Sequence, residues 1–172
     1  MLKIAVIGCG QIGSRHLQGL SRLKERAVIY LVDNLPESIE VAKERFNEAV
    51  NKDKIDQFKI KVRHIAEIED DIDVAIIATS SFNRAQITKE LVLFNKVKYI
   101  VFEKFVFQKR TDYDEIRPLL ERNKIKSWVN QWMCSTDAFQ EVIEWVGRAK
   151  IEILVSGNGF GLGCNAVHFI DI

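Results

Sequence analysis

The sequence predicts an α/β protein with a doubly wound, mostly parallel sheet, followed by the truncated start of an α+β domain. Three observations predict it. Short apolar, β-branched runs alternate with stretches of helical period, the order expected of strands linked by crossover helices. The first apolar run ends in Gly8-Cys9-Gly10-Gln11-Ile12-Gly13, directly before a helical stretch. Past Trp132 the alternation stops and a different pattern begins.

Leu2 to Ile7 is apolar apart from Lys3 and bounded by glycine, as a strand buried on both faces of a parallel sheet should be. Ile12, Leu17, Leu20 and Leu23 share one face while Arg15, Gln18, Arg22 and Lys24 are polar, so a helix is expected from about Gln11 to Glu25. Ala27 to Val32 is the second strand and ends in Asp33. Asn34 and Glu37 have capping-box spacing around Pro36, and Val41, Ala42, Phe46, Ala49 and Val50 continue a helical stripe. In the more polar stretch that follows, Lys59 to Arg63 reads as a short strand and Ile65 to Glu69 as a short helix. Val74 to Ala78, Tyr99 to Phe102 and Lys126 to Trp132 read as further strands. Asn83 to Phe94 and Thr111 to Asn123 read as helices, the second opened by a Thr111/Asp114 capping box. The division expected is residues 1–132 and 133–172. The second part offers an amphipathic helix from about Ser135 to Gly147, a strand from about Lys150 to Val155, and a glycine-rich segment.

Composition excludes several classes of function. With 25 Lys and Arg against 24 Asp and Glu, the net charge of +1 leaves no electrostatic drive toward nucleic acid or an anionic membrane. No apolar run reaches the ~18 residues of a membrane span, and the N-terminal MLKIAVIG lacks the cleavage site of a signal peptide, so a cytoplasmic protein is expected. Cys9, Cys134 and Cys164 form no C-x-x-C pair, which fits neither a disulfide framework nor a zinc site. His16, His64 and His168 add only the Cys164/His168 pair at helical spacing, and no metal is expected.

The run from Gly8 to Gly13 is G-x-G-x-x-G. The first glycine allows a tight turn, the second lets the backbone approach a pyrophosphate, and the third lets helix and strand pack closely; Gln11 and Ile12 open the helix whose N–H groups face the phosphates. An ordinary strand-to-helix turn would also use glycines. Asp33, 20 residues after Gly13 at the end of the second strand, stands where a carboxylate binds an adenine ribose, although a turn aspartate is the plainer alternative. A fixed negative charge there, with no Arg or Lys at Asn34, Leu35 or Pro36, makes NAD the expected cofactor and NADP less so. The domain is therefore read as a Rossmann domain.

With the fingerprint, the strand before Thr79, and Glu103-Lys104 after the next strand, the sequence resembles the Gfo/Idh/MocA oxidoreductases over nearly its whole length. That family carries Glu-Lys-Pro at this place, and here Phe105 stands where proline is usual. The resemblance implies that Lys104 reaches a substrate beside the nicotinamide, with Glu103 at the cofactor. It implies that Thr79, Ser80, Ser81 and Asn83 belong to the loop under the cofactor, residues that would also suit a helix cap. It further implies that His168, with Asp171 on the same helical face, serves as base or relay, Cys164 standing where the family has aspartate. The activity implied is NAD-dependent dehydrogenation of a sugar-like or cyclitol-like substrate. His16 reads as helix packing or surface, His64 as unpartnered, and Phe102, Phe105 and Phe107 as packing.

Two rivals share these residues: a dinucleotide sensor without turnover, and a methyltransferase, disfavoured because Val6-Ile7 rather than an acidic residue precedes Gly8. The unpartnered strand after Lys150 suggests a homo-oligomer formed through the second part. A fragment is expected, binding dinucleotide without useful turnover, with residues beyond about 150 disordered or ordered by self-association.

Overall fold

Short strands assemble into one sheet, the apolar runs Leu2–Ile7, Ala27–Val32 and Ile72–Ile77 being mostly buried. The computed structural model describes residues 1–131 and 136–147. The chain divides into two compact units, Met1–Val129 and Asn130–Ile172. In the first unit, β1 (Leu2–Ile7), β2 (Ala27–Val32), β3 (Phe58–Val62), β4 (Ile72–Ile77), β5 (Val97–Phe102) and β6 (Lys126–Val129) alternate with α1 (Gln11–Leu20), α2 (Pro36–Ala49), α3 (Arg84–Phe94) and α4 (Arg110–Arg122). The six strands are all parallel, in the order β3-β2-β1-β4-β5-β6. The order reverses between β1 and β4, where Ile4 pairs with Val74 and Ile7 with Ile77. Open sheets of this kind collect ligands at the carboxyl ends of the strands beside such a reversal.

The period of two along each strand divides the core between the faces. Ala5, Ile7, Tyr30, Ile77, Ile100 and Phe102 pack with Leu91 of α3 and Ile116 of α4. Val6, Ile29, Leu31 and Ile76 pack with Leu17 of α1 and Phe46 of α2. Burial of each large side chain stabilises by about 1.5–3 kcal/mol. Phe46 and Phe58 add an edge-on ring contact, with centroids 5.3 Å apart. No described helix is long and apolar enough to cross a membrane.

Several boundaries differ from expectation. α1 stops at Leu20 rather than near Glu25, because the amides of Ser21, Arg22 and Leu23 each bond three residues back and the Ser21 hydroxyl donates to the Gln18 carbonyl at 2.7 Å. This tighter turn frees the chain to enter β2 at Ala27. Neither expected capping box opens its helix. Pro36 starts α2 after Leu35 with no side-chain cap, and the Leu35 N–H donates to Asp33 at 2.9 Å. α4 starts at Arg110 after Lys109, without a side-chain cap. Ile65–Glu67 is a short 3-10 turn, and β6 ends at Val129 rather than Trp132. β6 lies at the sheet edge, with Trp128 54% exposed. In the second unit, α5 (Asp137–Val146) occupies the helical stretch expected there. The strand expected from Lys150 to Val155 lies outside the described residues.

Candidate functional site

At the end of β1 the three glycines do different work. Gly8 has φ of 88°, and a Cβ there would lie 2.8 Å from the Thr79 nitrogen, so only glycine lets β1 and β4 end this close together. A Cβ on Gly13 would fall 1.7 Å from the Gly8 carbonyl oxygen, so α1 can lie against the turn only without one. Gly10 is the opposite case: a Cβ there would meet nothing within 4 Å. It is the N-cap of α1 and supplies no side-chain hydrogen bond, so no side chain at this position caps the first-turn N–H groups. Gln11 and Ile12 are exposed, and the Gln11 amide oxygen accepts from Arg45 of α2 at 3.0 Å. Burial, with the nearby Asp33 carboxylate, pushes the Cys9 thiol up to about 12.

Asp33 joins the ends of β1 and β2. One carboxylate oxygen accepts the Cys9 N–H at 2.6 Å and the other the Leu35 N–H at 2.9 Å. A carboxylate offers about four acceptor positions, so capacity remains beyond these two bonds. Beside it, a recess of about 190 Å³ is lined by Gly8, Asp33, Asn34, His64 and Thr79, and the Thr79 hydroxyl oxygen is buried without a hydrogen-bond partner among the described residues. A neighbouring recess of about 490 Å³ combines Asp33 and Asn34 with Arg63 and His64 from the end of β3. Arg63 corrects one step of the sequence argument. The residues following Asp33 in the chain contain no cation, but the parallel β2–β3 pairing brings one from 30 residues away to the same recess. His64 is likewise part of this wall.

At the ends of β4 and β5 the organising group is Arg84, which sequence reasoning missed. It is 2% exposed, and its guanidinium donates to the carbonyls of Thr79, Glu103 and Phe105, and to that of Val106 at 3.1 Å. Burial lowers its pKa from the usual arginine value. One signal was available: a cation in the first turn opposes the helix dipole and so invites a search for other partners. Asn83 precedes α3 without capping it through its side chain, Ser80 is exposed, and Ser81 accepts from the Gln108 amide at 3.1 Å. The Glu103 carboxylate is buried and lies 2.6 Å from Nε2 of His16, which is thus a partner across the fold rather than general helix packing. Lys104 is half-buried directly after it, and the Lys104–Phe105 peptide bond is cis. Phe102 and Phe107 pack edge to face at 5.7 Å, but Phe105, expected to join them, is 49% exposed. Cys164, His168 and Asp171 lie outside the described residues.

A family model described as the oxidoreductase family, NAD-binding Rossmann fold, matches residues 2–131. The chain belongs to the Gfo/Idh/MocA family. Its described fold agrees with that of solved members. A scyllo-inositol dehydrogenase from Lactobacillus casei with bound NAD(H) and scyllo-inositol superposes with a TM-score of 0.69 at 16% identity, covering 99% of this chain and 54% of that one. A myo-inositol dehydrogenase from the same organism, in complex with NAD(H) and myo-inositol, gives 0.67 at 18% identity, over 85% and 41% of the two chains. A putative myo-inositol dehydrogenase from Sinorhizobium meliloti 1021 gives 0.65 at 19% identity, again over 85% and 41%. The likeness at these identities is one of fold, and the chain spans about two fifths of that last protein's length. No curated protein matches the chain.

The residues present fit the cofactor of the Gfo/Idh/MocA fold. An uncapped helix N-terminus beside the open face of Gly10 suits a pyrophosphate, and the unpartnered Thr79 hydroxyl beside Asp33 suits a ribose.

Proposed function

We propose that the chain is the dinucleotide-binding part of an NAD-dependent dehydrogenase that acts on a CH–OH carbon of a sugar-like or cyclitol-like substrate. The observation that supports this best is the gathering of the Gly8–Gly13 turn, Asp33, Thr79 and Lys104 along one edge of the sheet, at the ends of β1, β2, β4 and β5. NAD, when bound, supplies the acceptor for the hydride. The first-turn N–H groups of α1 would hold the pyrophosphate where Gly10 leaves room. Asp33 would accept from the adenine ribose, and Thr79, Ser80, Ser81 and Asn83 would line the path between the two ribose halves. Lys104 would bind the substrate oxygen and share its proton, with His168 as the base or relay and Asp171 as its neighbour. The inositol ligands of the two Lactobacillus casei enzymes support a polyol-like substrate. A division into 1–132 and 133–172, self-association through the second part, and a cytoplasmic location belong to the same proposal.

Calorimetric titration of the 172-residue chain with NADH and NADPH tests the cofactor roles. The expected preference for NADH is about tenfold, roughly 1.4 kcal/mol, and Asp33→Ala should narrow it chiefly by weakening NADH. Equal affinities in the unsubstituted chain would remove Asp33 from the site and would fit Arg63 meeting a 2′-phosphate in the same recess.

A further inference from the structure

We propose that Arg84 is a positioning residue of this site: its guanidinium ties the segment after β4 to the segment after β5 and thereby fixes where Lys104 stands. The importance of Lys104 rests on the function proposed above; the tie itself rests on geometry.

Taking a guanidinium out of water costs several kcal/mol unless polar groups replace its hydration. None of the hydrogen bonds described for Arg84 goes to a carboxylate. The replacement is instead four backbone carbonyls, one from Thr79 and three from Glu103, Phe105 and Val106. These oxygens belong to two segments that leave neighbouring strands and are 24 to 27 residues apart in the chain. Without a cation between them they would be turned together at a common point with only repulsion between their dipoles. Nη1 meets three of these carbonyls and Nη2 the fourth, while the buried Nε has no partner among the described residues; the planar spread of the two terminal nitrogens is what a lysine ammonium does not reproduce.

A second contact holds the same segment from the other side. The Glu103 carboxylate meets His16 of α1, and its charge also favours the Arg84 cation. Glu103 is thus fixed by its carbonyl from α3 and by its side chain from α1, the helix that begins at the glycine turn. Lys104 is the next residue. An apolar side chain of similar volume would fill the same space but would leave four carbonyls without a donor and could not orient them.

Hydrogen exchange with mass spectrometry on the full 172-residue chain tests the tie. In Arg84→Lys and Arg84→Gln, peptides covering 79–83 and 103–107 should both exchange about tenfold faster, while β1 and β2 exchange as before. Acylation of Lys104 by an amine reagent, followed on the same peptides, should change in rate by about threefold or more. A uniform rise across the sheet, a rise in one segment only, or an unchanged Lys104 rate would overturn the proposal. A second measurement needs no variant: under native conditions with increasing urea, the two segments should open along one shared isotherm, and separate isotherms would overturn it even if neither variant folds. An NADH titration alongside keeps the two readings distinct. Failure of the unsubstituted chain to bind NADH would remove the proposed function and leave the exchange result to decide the tie.

Discussion

The two halves of the sheet's carboxyl edge are built in opposite ways. At β1 and β2 the chain makes room by omitting side chains: Gly8 and Gly13 let backbone meet backbone, Gly10 leaves a space, and one carboxylate, Asp33, joins the two turns. At β4 and β5 the chain inserts one of its longest side chains, and Arg84 gathers the backbone around itself. The first arrangement is rigid because nothing larger fits. The second is rigid because a buried charge must keep its acceptors. A surface made by exclusion suits a ligand that approaches the backbone closely, whereas one made by a clamp suits a segment that must present a particular side chain.

The contrast predicts effects of graded size. The largest should come from Gly13→Ala, because a Cβ 1.7 Å from the Gly8 oxygen forces backbone to move; a loss of about 4 kcal/mol in urea unfolding is expected, at the upper end for single substitutions. Arg84→Met should cost about 3 kcal/mol in the same experiment, since several buried carbonyls lose their donor while the volume is retained. A cost under about 1 kcal/mol would mean that the clamp is weak and that the two halves are not built so differently.

Gly10→Ala separates the glycines from one another. Its Cβ meets no protein atom, so folding should change by about 1 kcal/mol or less. NADH affinity, by contrast, should fall about tenfold or more if the open space is where the pyrophosphate approaches. Unchanged affinity in calorimetry would turn Gly10 into an ordinary turn glycine. The smallest effect is absent at neutral pH. The Cys9 thiol is raised from 9.0 to about 12 in the fold, so the native state holds its proton more tightly than the unfolded chain does. Its contribution is fully present below about pH 9 and is lost as pH rises toward 12. Thermal unfolding between pH 9 and 11 should therefore fall less steeply in Cys9→Ala than in the unsubstituted chain.

Much of the first half was legible in the sequence because its determinants are local. Three glycines and the strand before them lie within a dozen residues, and their spacing is itself the geometric constraint. The place of Asp33 just after β2 was legible as well, whereas its bonds to Cys9 and Leu35 were not. The expected box of Asn34 and Glu37 failed because proline at the first helical position already fixes the entry, and Asp33 holds the Leu35 amide.

What the sequence determined by itself was the order of strands and helices, the parallel sheet, and the glycine turn, since alternation of apolar runs and residue spacing are properties of neighbours along the chain. What tertiary structure alone decided was every pairing across the sheet's edge: Arg84 with the Glu103–Val106 segment, His16 with Glu103, and Arg63 and His64 beside Asp33. Each joins residues between 19 and 87 apart in the chain, or on strands whose neighbours follow from sheet order rather than chain order. A charged side chain carries no periodic mark of whether it will face water or four carbonyls; burial decides that, and burial exists only once the strands have taken their places.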